Sequence, residues 1–172
     1  NSAVLVGPEG FIGAERKIHL PLIEKDYFLQ GTEPQVFNTA IGKIGIIICY
    51  ELFFSDPARM VAVKGAEICV FIGFVAVRDS KETAEGKDEK QYLFNTAPRI
   101  RALENQVCFV ACTAGGKHDM GGSTGLWQRA GHSKIINNFG DILAESQLDS
   151  EDLVIGTLKA TDLRLGRAAY PM

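Results

Sequence analysis

The sequence predicts an α/β layered domain built on a mixed sheet. Three observations carry this: buried-strand runs of apolar residues, helix-compatible segments between them, and hairpin signals toward the end of the chain. Strands alternating with helices early and hairpins late give one layered domain rather than two, and no internal repeat or low-complexity tract interrupts it.

Val4 to Val6 reads as a first strand, ended by the turn residues Gly7-Pro8-Glu9-Gly10. Phe11 to Leu20 follows, and its Arg16-Lys17-Ile18-His19-Leu20 stretch is expected to be extended up to Pro21. Residues 21–34 are mixed and polar, a long loop with room for one helical turn; loops of that length in compact domains tend to be functional. Val36 to Ala40 alternates weakly, and Gly42-Lys43 marks a turn.

Ile44-Gly45-Ile46-Ile47-Ile48 is a continuous run of the kind found in strands buried on both faces, and it stops at Cys49. Asp56-Pro57 reads as an N-cap followed by proline at the first helical position, with Gly65 as the stop. Ile68 to Ile72 is a second buried strand, and Val107 to Cys112 a third. Between them, residues 78–90 are charged and poor in apolar side chains, an exposed loop or solvated helix start. Tyr92 to Asn105 suits a helix, with Pro98 placing its N-terminus near Ala97. Gly115 to Gly125 is a glycine-rich loop. His132 to Ile136, the turn Asn137-Asn138-Phe139-Gly140 and Asp141 to Glu145 form a hairpin, and Leu153 to Leu158 is expected to be the last strand.

Composition narrows the function. The chain has 172 residues, 46% of them hydrophobic, and a net charge of −3, so no basic surface points to nucleic acid or to an anionic membrane. No apolar run reaches the roughly 18–20 residues that span a bilayer, and no signal segment opens the chain; a cytoplasmic location is the expectation. The three histidines are far apart without metal-ligand spacing, and no metal is expected. Of the four cysteines, Cys69, Cys108 and Cys112 read as small buried hydrophobes.

Cys49 is different because of where it sits. It ends a buried strand and precedes an abrupt change of direction, and strand ends in α/β domains are where ligands meet the fold. A thiol there becomes a nucleophile if a base or a cation lowers its pKa; otherwise it is one more buried cysteine. Lys17 alone reads as a solvated charge, and Glu24, Glu51 and Glu104 alone read the same way.

Taken together, the motifs say more. Gly7-Pro8-Glu9-Gly10 and then Glu15-Arg16-Lys17-Ile18-His19-Leu20-Pro21 closely resembles the lysine motif of the nitrilase superfamily, Tyr-Arg-Lys-x-His-Leu. Gly45 to Phe54, with Cys49-Tyr50-Glu51 at its centre, resembles that family's nucleophile motif. Arg101-Ala102-Leu103-Glu104-Asn105 matches its Arg-Ala-x-Glu-Asn stretch, and Gly131-His132-Ser133 with Phe139-Gly140-Asp141 resembles its serine-containing hairpin. The matches keep their order over nearly the whole chain.

This resemblance implies a nitrilase-like α-β-β-α sandwich, read here as one partial carbon–nitrogen hydrolase domain over residues 1–172. The N-terminal portion, which carries the family's general-base glutamate, is expected upstream of Asn1. The resemblance further implies that Cys49 attacks a small amide or N-carbamoyl compound, and less readily a nitrile, since Tyr50-Glu51 stands where nitrilases have Trp-Glu. Lys17 and the backbone N–H of Tyr50 would hold the oxyanion, without metal or organic cofactor. Glu24 is the nearest match to a second glutamate of some members, and Glu33 is the alternative. Glu51, Phe74 and Trp127 are candidate pocket residues, and Glu104 with Asn105 are expected to support the site from behind. A homo-oligomer is implied as well. The rival reading is a non-catalytic subunit that keeps the fold and binds a partner or a small ligand.

The sequence also departs from the family pattern. Glu15 replaces the usual tyrosine, and is expected either to act on Lys17 or to point to water. Phe54-Ser55-Asp56 stands where Phe-Pro-Glu is usual.

Overall fold

The structure, a computed structural model, describes residues 1–78, 84–122, 125–147 and 151–171. It opens with a hairpin of β1 (Ser2–Gly7) and β2 (Gly10–Arg16). A single 3₁₀ turn, Leu22–Glu24, interrupts the long loop to β3 (Val36–Thr39) and β4 (Gly42–Ile48). A 3₁₀ turn over Cys49–Phe53 leads into α1 (Asp56–Val63), then β5 (Ile68–Gly73) and the short β6 (Ala76–Arg78). The long α2 (Ala84–Asn105) precedes β7 (Cys108–Thr113), β8 (Lys117–Asp119) and β9 (Leu126–Arg129). β10 (Lys134–Ile136) and β11 (Ile142–Glu145) form the late hairpin, and α3 (Ala160–Ala169) closes the chain.

The main sheet has the order β11-β10-β7-β5-β4-β3. Its centre, β4, β5 and β7, is parallel and its outer strands antiparallel, so the sheet is mixed as predicted. One face carries the larger core: Ile47, Cys69, Phe71 and Phe109 meet Val61 of α1 and Phe94 of α2, all essentially buried. Fully burying a side chain of this size is worth about 1.5–3 kcal/mol, which makes this face the main source of stability. The opposite face presents Ile44, Ile46 and Ile48 to Ala3 and Leu5 of the opening hairpin, which begins a second β layer. The β6-β9-β8 sheet stands beside the main one.

Several expectations need correction. The extended stretch ends at Arg16, because the backbone N–H groups of Ile18 and His19 turn inward to the Glu51 carboxylate. α1 starts at Asp56 itself, which spends its carboxylate on His19 instead of capping the helix. α2 begins at Ala84 and runs through Pro98. The proline removes one helix hydrogen bond, and packing of Phe94, Ala97 and Ala102 on the sheet outweighs that loss. β8 lies inside the glycine-rich loop, and Cys112 is exposed because it lies on the face of β7 turned away from the helices. Of the charged stretch 78–90, residues 79–83 lie outside the described residues.

Leu153 to Leu158 forms no strand: it has no ladder partner among the described residues, and Leu153 and Ile155 are 80% and 78% exposed. α3 follows this stretch, where the sequence analysis places no element, and carries Gly166 in its second half. That glycine is what lets the helix dock. A Cβ there would overlap the Gln106 and Asn138 side chains, while Arg167 donates to the carbonyls of Gln106 and Ala66.

Candidate active site

β4 delivers Cys49 to its site. The residue adopts φ +51°, a left-handed conformation that a cysteine takes only under constraint from its surroundings. Part of that constraint comes from β5. At Gly73 a Cβ would lie 2.8 Å from the Cys49 Cα, so only glycine lets the two strand ends approach this closely. The thiol is partly exposed, with its Sγ 3.9 Å from the Phe74 carbonyl oxygen. It opens into a cavity of about 300 Å³ walled mainly by apolar groups, among them Tyr50, Phe53, Phe74, Leu93 and Phe94.

Lys17 follows the end of β2 and is completely buried. Its ammonium sits 2.8 and 2.9 Å from the two Glu24 oxygens, and Asn1 donates to the same carboxylate at 3.0 Å. Partial burial pushes the Glu24 carboxyl up, but the Lys17 and Asn1 hydrogen bonds more than reverse this, leaving it below its ordinary value. Glu33 is elsewhere: it is paired with Lys64 near the surface.

Glu51 joins the two motifs. One of its oxygens accepts from the N–H of Ile18 at 2.7 Å and of His19 at 3.2 Å; the other accepts from Ile48 at 2.6 Å. A single buried carboxylate therefore fixes the residue after Lys17 and the residue before Cys49. This corrects the reading of Glu51 as a pocket residue, because the 3₁₀ turn directs its side chain back under the strand end. His19 adds to the brace, stacked on Phe54 at 4.6 Å with Nε2 3.2 Å from Asp56.

The remaining candidates divide. Phe74 and Tyr50 line the Cys49 cavity. Trp127 stands one step outside it, on β9, where its ring lies under the Lys90 ammonium. Glu104 and Asn105 line a recess between α1 and α2 with Ser55 and Arg59, away from the cavity. Glu15 is buried and accepts from the Gln35 N–H at 2.7 Å, so it does not point to water. Burial and the nearby Glu51 charge push its carboxyl up to about 7. Sequence reasoning missed Lys90, which reaches the cavity from α2; its place in a charged run hid it.

The family profile described as carbon-nitrogen hydrolase matches residues 1–168. The chain belongs to the carbon–nitrogen hydrolase family. Within this nitrilase superfamily, it is 32% identical over 165 residues to an omega-amidase of Xenopus tropicalis, covering 90% of this chain and 54% of that protein. A nitrilase of Pyrococcus abyssi is 40% identical over 111 residues, covering 62% of this chain and 36% of that protein. The crystal structure of a carbon-nitrogen hydrolase from Helicobacter pylori superimposes with a TM-score of 0.87 at 26% identity, over 99% of this chain and 60% of that one. The carbon–nitrogen hydrolase chain thus has the nitrilase sandwich fold, and it spans little more than half the length of such relatives.

Proposed function

We propose that this chain carries the nucleophile of a hydrolase that cleaves a small amide or N-carbamoyl compound at its C–N bond. The observation that carries the proposal is the Glu51 brace, which ties the lysine motif to the cysteine motif beside an apolar cavity. The Cys49 thiolate attacks the carbonyl carbon. The resulting oxyanion is held by the Lys17 ammonium and the Tyr50 N–H, donors fixed in place before the reaction begins. Collapse of the intermediate expels ammonia or an amine, which takes up a proton as it leaves, and gives a Cys49 thioester. Water then attacks the thioester, releasing the acid and restoring the thiol. Glu24 orients Lys17 through the two hydrogen bonds that its carboxylate accepts from the Lys17 side chain. The base that takes the thiol proton and activates the water is assigned, by the family resemblance, to a glutamate upstream of the lysine motif. Names among the relatives, omega-amidase and citrullinase, fit amide and carbamoyl substrates. The homo-oligomer implied by the resemblance is part of the proposal, and sedimentation velocity of the purified protein checks it.

Iodoacetamide tests the nucleophile directly, because Cys112 offers an exposed thiol in the same molecule as a reference. Cys49 is expected to react at least tenfold faster than Cys112, and mass spectrometry after feeding simple amides is expected to find an acyl group on Cys49. Equal labelling of the two thiols would leave only a binding role.

A further inference from the structure

Two cavities meet at Tyr50. One is the Cys49 cavity of about 300 Å³; the other, of about 250 Å³, is lined by His19, Leu20, Leu22, Gln30, Phe54 and Tyr50 among others. Among the described residues, Tyr50 is the only one that lines both. The two are neighbours along the lysine loop as well, since Pro21 borders the Cys49 cavity while Leu20 and Leu22 border the second. The Tyr50 ring is wedged between the two walls. It lies 5.4 Å from the Phe53 ring, tilted by 40°, and 5.3 Å from the Phe54 ring, edge-on at 80°. Phe53 belongs to the wall of the Cys49 cavity and Phe54 to that of the second. Offset and edge-to-face contacts of this kind favour one placement of the ring beyond the area they bury.

We infer that the Tyr50 side chain determines specificity: it closes the Cys49 cavity on this side and holds the site to short substrates. This deepens the hydrolase reading above and rests on it. The backbone N–H and the ring of Tyr50 then have separate duties, one toward the oxyanion and the other toward the length of the substrate. A cavity of about 300 Å³ is at the small end for ligand sites. Without the ring the two spaces join, and a chain bound at Cys49 gains room to run on toward Leu20, Leu22 and Phe54.

The test compares N-methyl- and N-octyl-iodoacetamide, which share a reactive group and differ in length. In each, the Cys49 sulfur forms a bond to the methylene carbon as iodide departs, and the thiol proton goes to buffer. Rates at Cys49 are divided by those of glutathione with the same reagent, which removes intrinsic differences, and the octyl-to-methyl ratio is the readout. In the unmodified chain that ratio is expected to be low. Tyr50→Ala is expected to raise it roughly tenfold, the scale on which an apolar pocket discriminates by size. Tyr50→Phe keeps the ring and is expected to keep the low ratio. If circular dichroism shows Tyr50→Ala unfolded, Tyr50→Leu carries the same expectation. A ratio in the ring-less variant equal to that of the unmodified chain overturns the inference while leaving Cys49 an activated nucleophile. A rise in Tyr50→Phe as large as in the ring-less variant overturns it too, because the ring is then not the divider. A Cys49 no faster than Cys112 with the methyl reagent in the unmodified chain takes down both readings.

Discussion

Glu51 and Glu15 are two buried carboxylates with opposite consequences. Glu51 accepts three backbone hydrogen bonds, from Ile18 and His19 beyond the end of β2 and from Ile48 at the end of β4. Glu51→Ala strands those donors in the interior, and at about 1–3 kcal/mol for each unsatisfied group the loss should reach several kcal/mol. A drop in the denaturant midpoint of that size, together with slower labelling of Cys49, is the expected result. An unchanged midpoint would show that the brace carries no weight. Glu15 works the other way. Its carboxyl is raised from an ordinary 4.5 to about 7, chiefly by burial. Below pH 4.5 both folded and unfolded chains hold this proton. Between 4.5 and 7 only the folded chain does, so stability falls as pH rises, by at most about 3 kcal/mol, and levels off above 7. Glu15→Gln removes that dependence. Urea unfolding at pH 5 and pH 8 should show the variant gaining on the unmodified chain at the higher pH only.

At the level of elements, the site depends on two parallel strands ending side by side. β4 supplies Cys49 and β5 supplies the glycine against which it lies. Gly73→Ala forces a methyl group into the Cys49 backbone. The expected outcome is a loss of at least tenfold in Cys49 labelling with far-UV circular dichroism retained, since the strands themselves are held by their ladders. α3 depends on a comparable fit at its glycine and on Arg167. Replacing Arg167 by Met removes donors to two carbonyls, and amide exchange in residues 160–169 should accelerate while the central strands stay protected. Protection of α3 equal to that in the unmodified chain would show that its docking rests on Leu163 and Gly166 alone.

For the whole molecule, the two faces of the main sheet differ sharply. The helix face is closed. On the other side Val4, Val6 and Phe11 are 60%, 64% and 71% exposed, and Leu153 and Ile155 are more exposed still. Apolar groups displayed in this way invite association, so the 172-residue chain is expected to bind an apolar dye and to self-associate at micromolar concentration. A monomer without dye binding would contradict this.

What the sequence determined by itself was local and repetitive. The runs 44–48, 68–72 and 107–112 announced the central strands, because a strand buried on both faces must be apolar at every position. Asn137 to Gly140 announced its hairpin through turn chemistry, and the order of the short motifs identified the family. Only the tertiary structure decided the rest. No pattern along the chain reveals that Glu51 faces backward, that Lys17 is paired with Glu24, or that Lys90 leaves its charged run for the cavity wall. Leu153 to Leu158 alternates like a strand yet forms none, since a strand exists only by pairing and its partner is not given by its own residues. Propensity and periodicity belong to neighbours in sequence. Hydrogen bonds, ion pairs and close approaches belong to neighbours in space, and these are what assemble the site.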